Sequence, residues 1–314
     1  MQAVVQGLFA GERRAIARAI SEVENETADA APILQAIHPR LGRARVLGIT
    51  GPPGAGKSTL TSALIGEYLR RGERVAVVAV DPSSPVSGGA ILGDRVRMGA
   101  HQADDRVFIR SVSSRGHVGG LSRTAARVID VLDAAGFGVL IVETVGAGQS
   151  EVEVGVLADT RLVVCPPGLG DDIQAIKAGM MEIADIYVVN KADSPLADRT
   201  ESDLRSMIGL RPYEGWTPRV VRTIATSGEG VAALADAIAE RELVGSSRIG
   251  PRQRMRRLLA SGVADWLRER IEHLSVPDLD ALCDAFGEGR IGPRDAWCRA
   301  AAIAIREEAR QSAS

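Results

Sequence analysis

The 314-residue sequence has little of what marks several large classes of protein. Its 38 basic residues are balanced by 40 acidic ones, a formal net charge of −2, so there is no basic footprint for nucleic acid. The two signs are interleaved along the chain, the pattern of a solvated surface. No run of about 18 apolar residues occurs, and no basic stretch followed by an apolar one opens the chain, so a cytoplasmic protein without membrane contact is expected. Three cysteines, Cys165, Cys283 and Cys298, lie far apart in no metal-ligand spacing, which suits a reducing compartment and buried thiols. The four histidines, His38, His101, His117 and His273, are scattered, and there is no Cys-x-Cys pair, so no transition-metal site is expected.

What is present is ordinary globular material, 45% hydrophobic and 25% charged, and long enough for a full α/β core with one or two satellite elements. Around residues 48–60 an apolar strand-like run turns through Gly51, Pro52, Pro53, Gly54, Ala55 and Gly56 into Lys57, Ser58 and Thr59 at the start of a helical pattern. The four fixed positions of Gly-x-x-x-x-Gly-Lys-Ser in strand-turn-helix context are a P-loop. Its glycines let successive amides face a phosphate at a helix N-terminus, Lys57 reaches the β- and γ-phosphates, and the Ser58 hydroxyl binds Mg²⁺. An ordinary Gly-rich turn is the plainer alternative.

From residue 46 onward, short apolar runs alternate with helical patterns, the mark of a parallel sheet with helices on its faces. Strands are predicted at 46–50, 75–80, 107–110, 139–143, 162–165, 186–190 and 220–223, and helices near 57–71, 121–135, 172–183, 198–209 and 230–242. Before the sheet, residues 1–44 read as helical: an amphipathic helix over 11–25 buries Ala15, Ile16, Ala19, Ile20 and Val23 with Glu12, Arg13, Arg14 and Glu24 outside, and a short helix comes next at 31–37. That apolar face packs on the core or meets a partner.

The polar motifs fall at the carboxyl ends of the strands, where such sheets bind ligands. Asp81 closes an apolar strand beside the phosphates, a place for a Mg²⁺ ligand, and Asp94 comes after a Pro-, Ser- and Gly-rich stretch that can act as a switch. A helix-capping Asp before a plain loop competes with that reading. Glu143 closes the run Val139, Leu140, Ile141, Val142, a Walker B arrangement with Glu in place of Asp. Gly146 can lend its amide to the γ-phosphate, and Gln149 is a candidate for positioning water, although plain surface polarity explains it as well. Asn190, Lys191, Ala192 and Asp193 come after another strand and set the nucleotide. The Asp193 carboxylate accepts both N1–H and the exocyclic amine of guanine, a donor pair adenine lacks. Asn190 ties this loop to the P-loop, the Lys191 stem covers the base, and the Ala225 amide can donate to guanine O6.

Taken together, the run from Asp81 through Gly88, Gly89, Ala90, Ile91, Leu92, Gly93 and Asp94, the run from Glu143 to Glu151, and Asn190 to Asp193 resemble the MeaB/ArgK GTPases, relatives of the human methylmalonic aciduria type A protein. The likeness extends over residues 10–245 or so. It implies an α/β fold, a P-loop NTPase of the SIMIBI type with a mainly parallel sheet, helices on both faces and helical N- and C-terminal extensions. It further implies a GTPase chaperone that gates adenosylcobalamin loading and protects or rescues an adenosylcobalamin-dependent acyl-CoA mutase, typically methylmalonyl-CoA mutase, which stimulates GTP hydrolysis. Mg²⁺ and GTP or GDP are the implied ligands, with no cobalamin bound directly, and whether a cobalamin adenosyltransferase also binds is left open. Carried over by position, Lys57 and Ser58 match phosphate and Mg²⁺ contacts, Asp81, Asp94 and Glu143 match acidic metal-site and switch positions, and Asp171 and Lys177 match a further switch that signals to the dimer partner and mutase.

The expected organisation is a helical extension at 1–44, the GTPase domain at 45–245 and a C-terminal arm at 246–314. In the arm, Met255, Leu258, Leu259, Val263, Trp266, Leu267, Ile271 and Leu274 make an apolar stripe, and Pro277 and Pro293 sit where two more helices can start. Intramolecular packing explains such a stripe; the resemblance implies a homodimer instead. Three competing functions remain: a P-loop kinase or ATPase, which would favour ATP; a metal-delivery GTPase, which would be expected to carry the His-rich tract or Cys-x-Cys pair that is lacking; and a scaffold without nucleotide function, which would be expected to show decay in at least one motif, whereas all are intact.

Overall fold

The computed structural model describes residues 1–81, 101, 103–113, 120–144, 157–168, 184–210, 212–213, 215–244 and 251–312. The chain divides into two compact units, Met1–Arg256 and Arg257–Ser314.

The first unit is built on seven parallel strands: β1 (Arg45–Thr50), β2 (Val75–Asp81), β3 (Val107–Ser113), β4 (Val139–Thr144), β5 (Thr160–Cys165), β6 (Ile186–Asn190) and β7 (Arg219–Thr223). They lie in the order β3-β2-β4-β1-β5-β6-β7. Each predicted strand is present, extended by up to three residues at its ends. The five inner strands are apolar at nearly every position because both faces of the sheet are covered there, as parallel sheets require, while the edge strands β3 and β7 also carry arginines. Alternate residues serve the two faces. Leu162, Val164, Ile186 and Val188 join Leu60 and Leu64 of α4 (Lys57–Arg70) and Leu234 and Ile238 of α7 (Val231–Leu243) in one core. Val163, Cys165, Tyr187 and Val189 join Leu204 and Ile208 of α6 (Ala197–Gly209) in the other. Right-handed crossovers place α5 (Gly120–Ala134) on the same side as α6. The predicted helix at 172–183 lies outside the described residues.

Three helices precede the sheet: α1 (Gln2–Phe9), α2 (Arg13–Glu24) and α3 (Ala30–Ile37). α2 and α3 pack on α5, burying Ile16, Ile20, Val23, Ile33 and Ile37 to within 1% of full exclusion from solvent. Burial of a side chain of this size contributes about 1.5–3 kcal/mol, so the extension is a structural layer of the domain. One expectation needs correcting. Glu24 does not stay outside but meets Arg110, the charge midway along β3, whose Nε lies 3.3 Å from Glu24 Oε1.

The C-terminal part holds α8 (Pro251–His273), α9 (Pro277–Gly287) and α10 (Pro293–Ser312), with proline in the first turn of each. α9 and α10 bury Leu279, Leu282, Ala296 and Ala304, a small core. Of the predicted stripe, Met255, Leu259, Val263 and Trp266 are exposed, and Leu267, Ile271 and Leu274 are half-buried. Cys283 and Cys298 are exposed too, against the expectation of buried thiols, and only Cys165 is buried. No helix among the described residues is long and apolar enough to cross a membrane.

Candidate functional site

β1 lies at the centre of the sheet between β4 and β5, so the loop that leaves it emerges amid the carboxyl ends of the neighbouring strands. Residues 51–56 turn there into α4, whose N-cap is Gly56 in the left-handed region at φ 91°. A Cβ at Gly56 would stand 2.4 Å from Asn190 Nδ2, so only glycine lets the two loops close on each other. The first turn of α4 presents its unpaired amides, and its dipole, to this rim.

Lys57 is buried, and its Nζ donates to the carbonyls of Gly51 at 2.9 Å and Pro52 at 3.0 Å. The ammonium therefore lies folded over the loop it would serve. Ser58 Oγ donates to Glu143 Oε1 at 2.6 Å. Register explains the meeting: Ile49 of β1 pairs with Glu143 of β4, putting that carboxylate level with the end of β1. The next residue, Thr144, donates through Oγ1 to Thr50 Oγ1 at 3.3 Å, a second tie between the two strands. Asp81 closes β2, two positions beyond the residue paired with Glu143, so its backbone reaches the same edge. Asp94, Gly146, Gln149, Asp171 and Lys177 lie outside the described residues.

The second loop leaves β6. Asn190, almost fully buried, donates from Nδ2 to the Ala55 carbonyl at 3.0 Å, while its Oδ1 accepts from Thr223 Oγ1 at 3.1 Å and from the Ala225 amide at 3.2 Å. Lys191 takes a left-handed φ of 58° and lays its stem back so that Nζ donates to the Gly54 carbonyl at 2.9 Å. Asp193 is exposed at the rim. The cradle and the second loop are thus one bonded unit. The amide of Ala225, expected to face a base, is engaged by Asn190 instead, and a base contact there would have to share it. Beside this loop a cleft of about 720 Å³ runs along α4, lined by Thr59, Ser62, Gly66, His101, Ala225 and Thr226 among others.

Sequence reading missed two participants. Thr223, which fixes the Asn190 amide, closes β7 directly opposite Asn190, and a hydroxyl ending the strand after the Asn-Lys-x-Asp strand is the signal that could have found it. Arg222, one residue earlier, donates from Nη2 to the Ala192 carbonyl at 3.2 Å, and in a strand that reads Arg-Val-Val-Arg-Thr nothing singled it out.

Comparison with known proteins agrees with this geometry. The family profile described as methylmalonyl-CoA mutase-associated GTPase MeaB matches residues 16–274. A Pyrococcus horikoshii relative is 49% identical over 259 residues, 81% of this chain and 82% of its own length. The GTPase ArgK of Escherichia coli is 40% identical over 281 residues, 85% of this chain and 82% of its own. A crystal structure of a LAO/AO transport system kinase matches with a TM-score of 0.69 at 30% identity, covering 96% of each chain.

Proposed function

The chain belongs to the MeaB family of methylmalonyl-CoA mutase-associated GTPases, and from that premise we propose that it uses GTP to gate adenosylcobalamin loading onto, and to protect or reactivate, an adenosylcobalamin-dependent acyl-CoA mutase. Its fold is that of a P-loop GTPase of the SIMIBI type. The observation that carries the proposal is the pair of bonds from Asn190 and Lys191 to the Ala55 and Gly54 carbonyls, which joins a phosphate cradle to a base-reading loop.

In this reading the backbone N–H groups of Gly54, Ala55, Gly56 and Lys57 hold the phosphates, and the Lys57 ammonium moves from the Gly51 and Pro52 carbonyls to the β- and γ-phosphates. A hydroxyl and a carboxylate in contact, Ser58 and Glu143, are the hard oxygen donors that suit Mg²⁺, which takes few protein ligands alongside phosphate and water. Asp81 and Asp94 would complete or support that set. When bound, the ion neutralises charge on the phosphates. The Gly146 amide would serve the γ-phosphate and Gln149 would orient water, incompletely until a partner closes the switches, so intrinsic hydrolysis is expected to be slow. Asp171 and Lys177 pass the state of the nucleotide to the mutase and to a second copy, with the apolar stripe of α8 as the dimer contact. Methylmalonyl-CoA mutase is the client that fits the family, with an adenosyltransferase as a further partner to examine.

Isothermal titration with GDP, GTP and ATP decides the nucleotide. The two charge-assisted hydrogen bonds that the Asp193 carboxylate accepts from guanine predict that Asp193→Ala weakens GDP binding by about 10²–10³-fold and leaves ATP unchanged. A kinase reading, suggested by the name of the solved relative, predicts an ATP preference from the same titrations. Should guanine and adenine nucleotides bind the wild-type protein alike, or should mutase association ignore which nucleotide is loaded, the proposal fails.

A further inference from the structure

We infer that Arg222 is a positioning residue for guanine recognition: its guanidinium fixes the peptide plane from which the Asp193 side chain springs. The inference rests on the guanine-binding reading above. Ala192, the variable residue of Asn-Lys-x-Asp, is held from both sides. Its amide donates to the Thr223 carbonyl at 3.0 Å, and its carbonyl accepts from Arg222 Nη2 at 3.2 Å. That carbonyl belongs to the peptide joining Ala192 to Asp193, so anchoring it removes the rotation that would swing the Asp193 carboxylate off the base edge.

The loop needs such an anchor. Lys191 sits at φ 58°, a region lysine rarely occupies, and a conformation of that kind persists only where its surroundings over-determine it. Asn190 and Lys191 brace the loop inward to the P-loop, and among the described residues Arg222 is the side chain that braces the Ala192 carbonyl from outside. The guanidinium is itself aimed. Nη1 contacts Asp198 Oδ1 at 2.5 Å and Glu201 Oε2 at 3.5 Å, one turn apart on α6. Arg222 is 41% and Asp198 81% exposed, and ion pairs so exposed contribute little to stability. Two carboxylates on Nη1 and one main-chain carbonyl on Nη2 fix the plane of the guanidinium instead, and the planar fork of arginine suits that task.

Calorimetry on the full-length protein tests this with GDP, IDP and pyrophosphate. IDP lacks the exocyclic amine and so keeps one of the two donors to Asp193. Misaligning two charge-assisted hydrogen bonds predicts that Arg222→Met weakens GDP by about tenfold and IDP by about threefold, with pyrophosphate within about twofold of wild type. Arg222→Lys, which keeps a donor, recovers most of the loss. In an Asp193→Ala background, Arg222→Met changes GDP affinity by less than about twofold, because the group it positions is gone. The inference is overturned if Arg222→Met binds GDP as wild type does, if pyrophosphate weakens as much as GDP, or if the loss persists undiminished without Asp193. A wild-type protein that shows no preference for guanine would defeat the parent reading itself. A guanine preference that survives Arg222→Met intact defeats this inference alone.

Discussion

The two units of the chain treat their apolar side chains in opposite ways. In the first, Leu47, Ile49, Leu60, Leu64, Val77 and Ile141 are wholly excluded from solvent between sheet and helices. In the second, Leu259 is 63% exposed, Val263 54%, Trp297 68% and Ile305 56%. A layered α/β unit closes its own core, whereas helices that, among the described residues, bury only Leu279, Leu282, Ala296 and Ala304 do not. Contiguous exposed apolar residues at helical spacing mark an interaction surface. The first unit therefore closes on itself, while the second leaves open the apolar side chains that the proposed dimer contact would cover.

The largest effect that sharpens this contrast is on stability. Leu64→Ala, deep against the sheet, is expected to destabilise the protein by about 3 kcal/mol in urea unfolding, the usual cost of truncating a buried leucine. Trp297→Ala, a larger deletion on an exposed face, is expected to stay within about 0.5 kcal/mol when measured at concentrations where the protein is monomeric. Equal costs at the two sites would erase the distinction between the units.

Next in size is assembly. Leu259 and Val263 lie four residues apart on one face of α8, and placing a charge there turns an apolar contact into a buried unpaired carboxylate. Leu259→Asp is expected to weaken self-association by about a hundredfold in sedimentation experiments, while GDP affinity stays unchanged. A variant that remains as dimeric as the wild-type protein would leave the α8 stripe without its proposed role.

How much of this was legible depended on whether the cause was local. The strands announced themselves because burial on both faces leaves an unbroken apolar run, and β3 was read three residues short only because Arg110 looked like an end. Its charge is met by Glu24, eighty-six positions away, which no local pattern contains. α1 escaped notice because it is short and carries Gly7 in its interior. A Cβ there would come within 2.8 Å of the Ala15 Cβ, so the residue that weakens the helix signal is the one that lets α1 approach α2. At the site, the motif positions Lys57, Ser58, Glu143, Asn190 and Asp193 were visible from spacing alone. Arg222 was not, since its partner is a main-chain carbonyl, and a backbone acceptor leaves no mark on the side-chain sequence. The exposure of Cys283 and Cys298 was hidden for a related reason: a cysteine reads as buried by habit, and only the thinness of the second unit overrules it.

Those cysteines give the smallest and most local test. Burial pushes the Cys165 thiol up to about 12, so at pH 8 it is protonated as well as covered. Thiolate is the reactive species, and Cys165 is expected to be inert to a maleimide in the folded protein and to react only after unfolding. Cys283 and Cys298 are open to the reagent. Cys298 adjoins the exposed Trp297 and stands seven residues, two helical turns, before Ile305 on α10, so a second copy that covers this face will shield it. Raising the protein concentration through the dimerisation range is expected to slow labelling of Cys298 by several-fold, read by peptide mass spectrometry, with Cys165 silent throughout. The Leu259→Asp variant should abolish that concentration dependence while leaving the rate of the monomer unchanged. Fast labelling of Cys165 would contradict the closed core of the first unit. A Cys298 rate indifferent to concentration would confine the contact to α8.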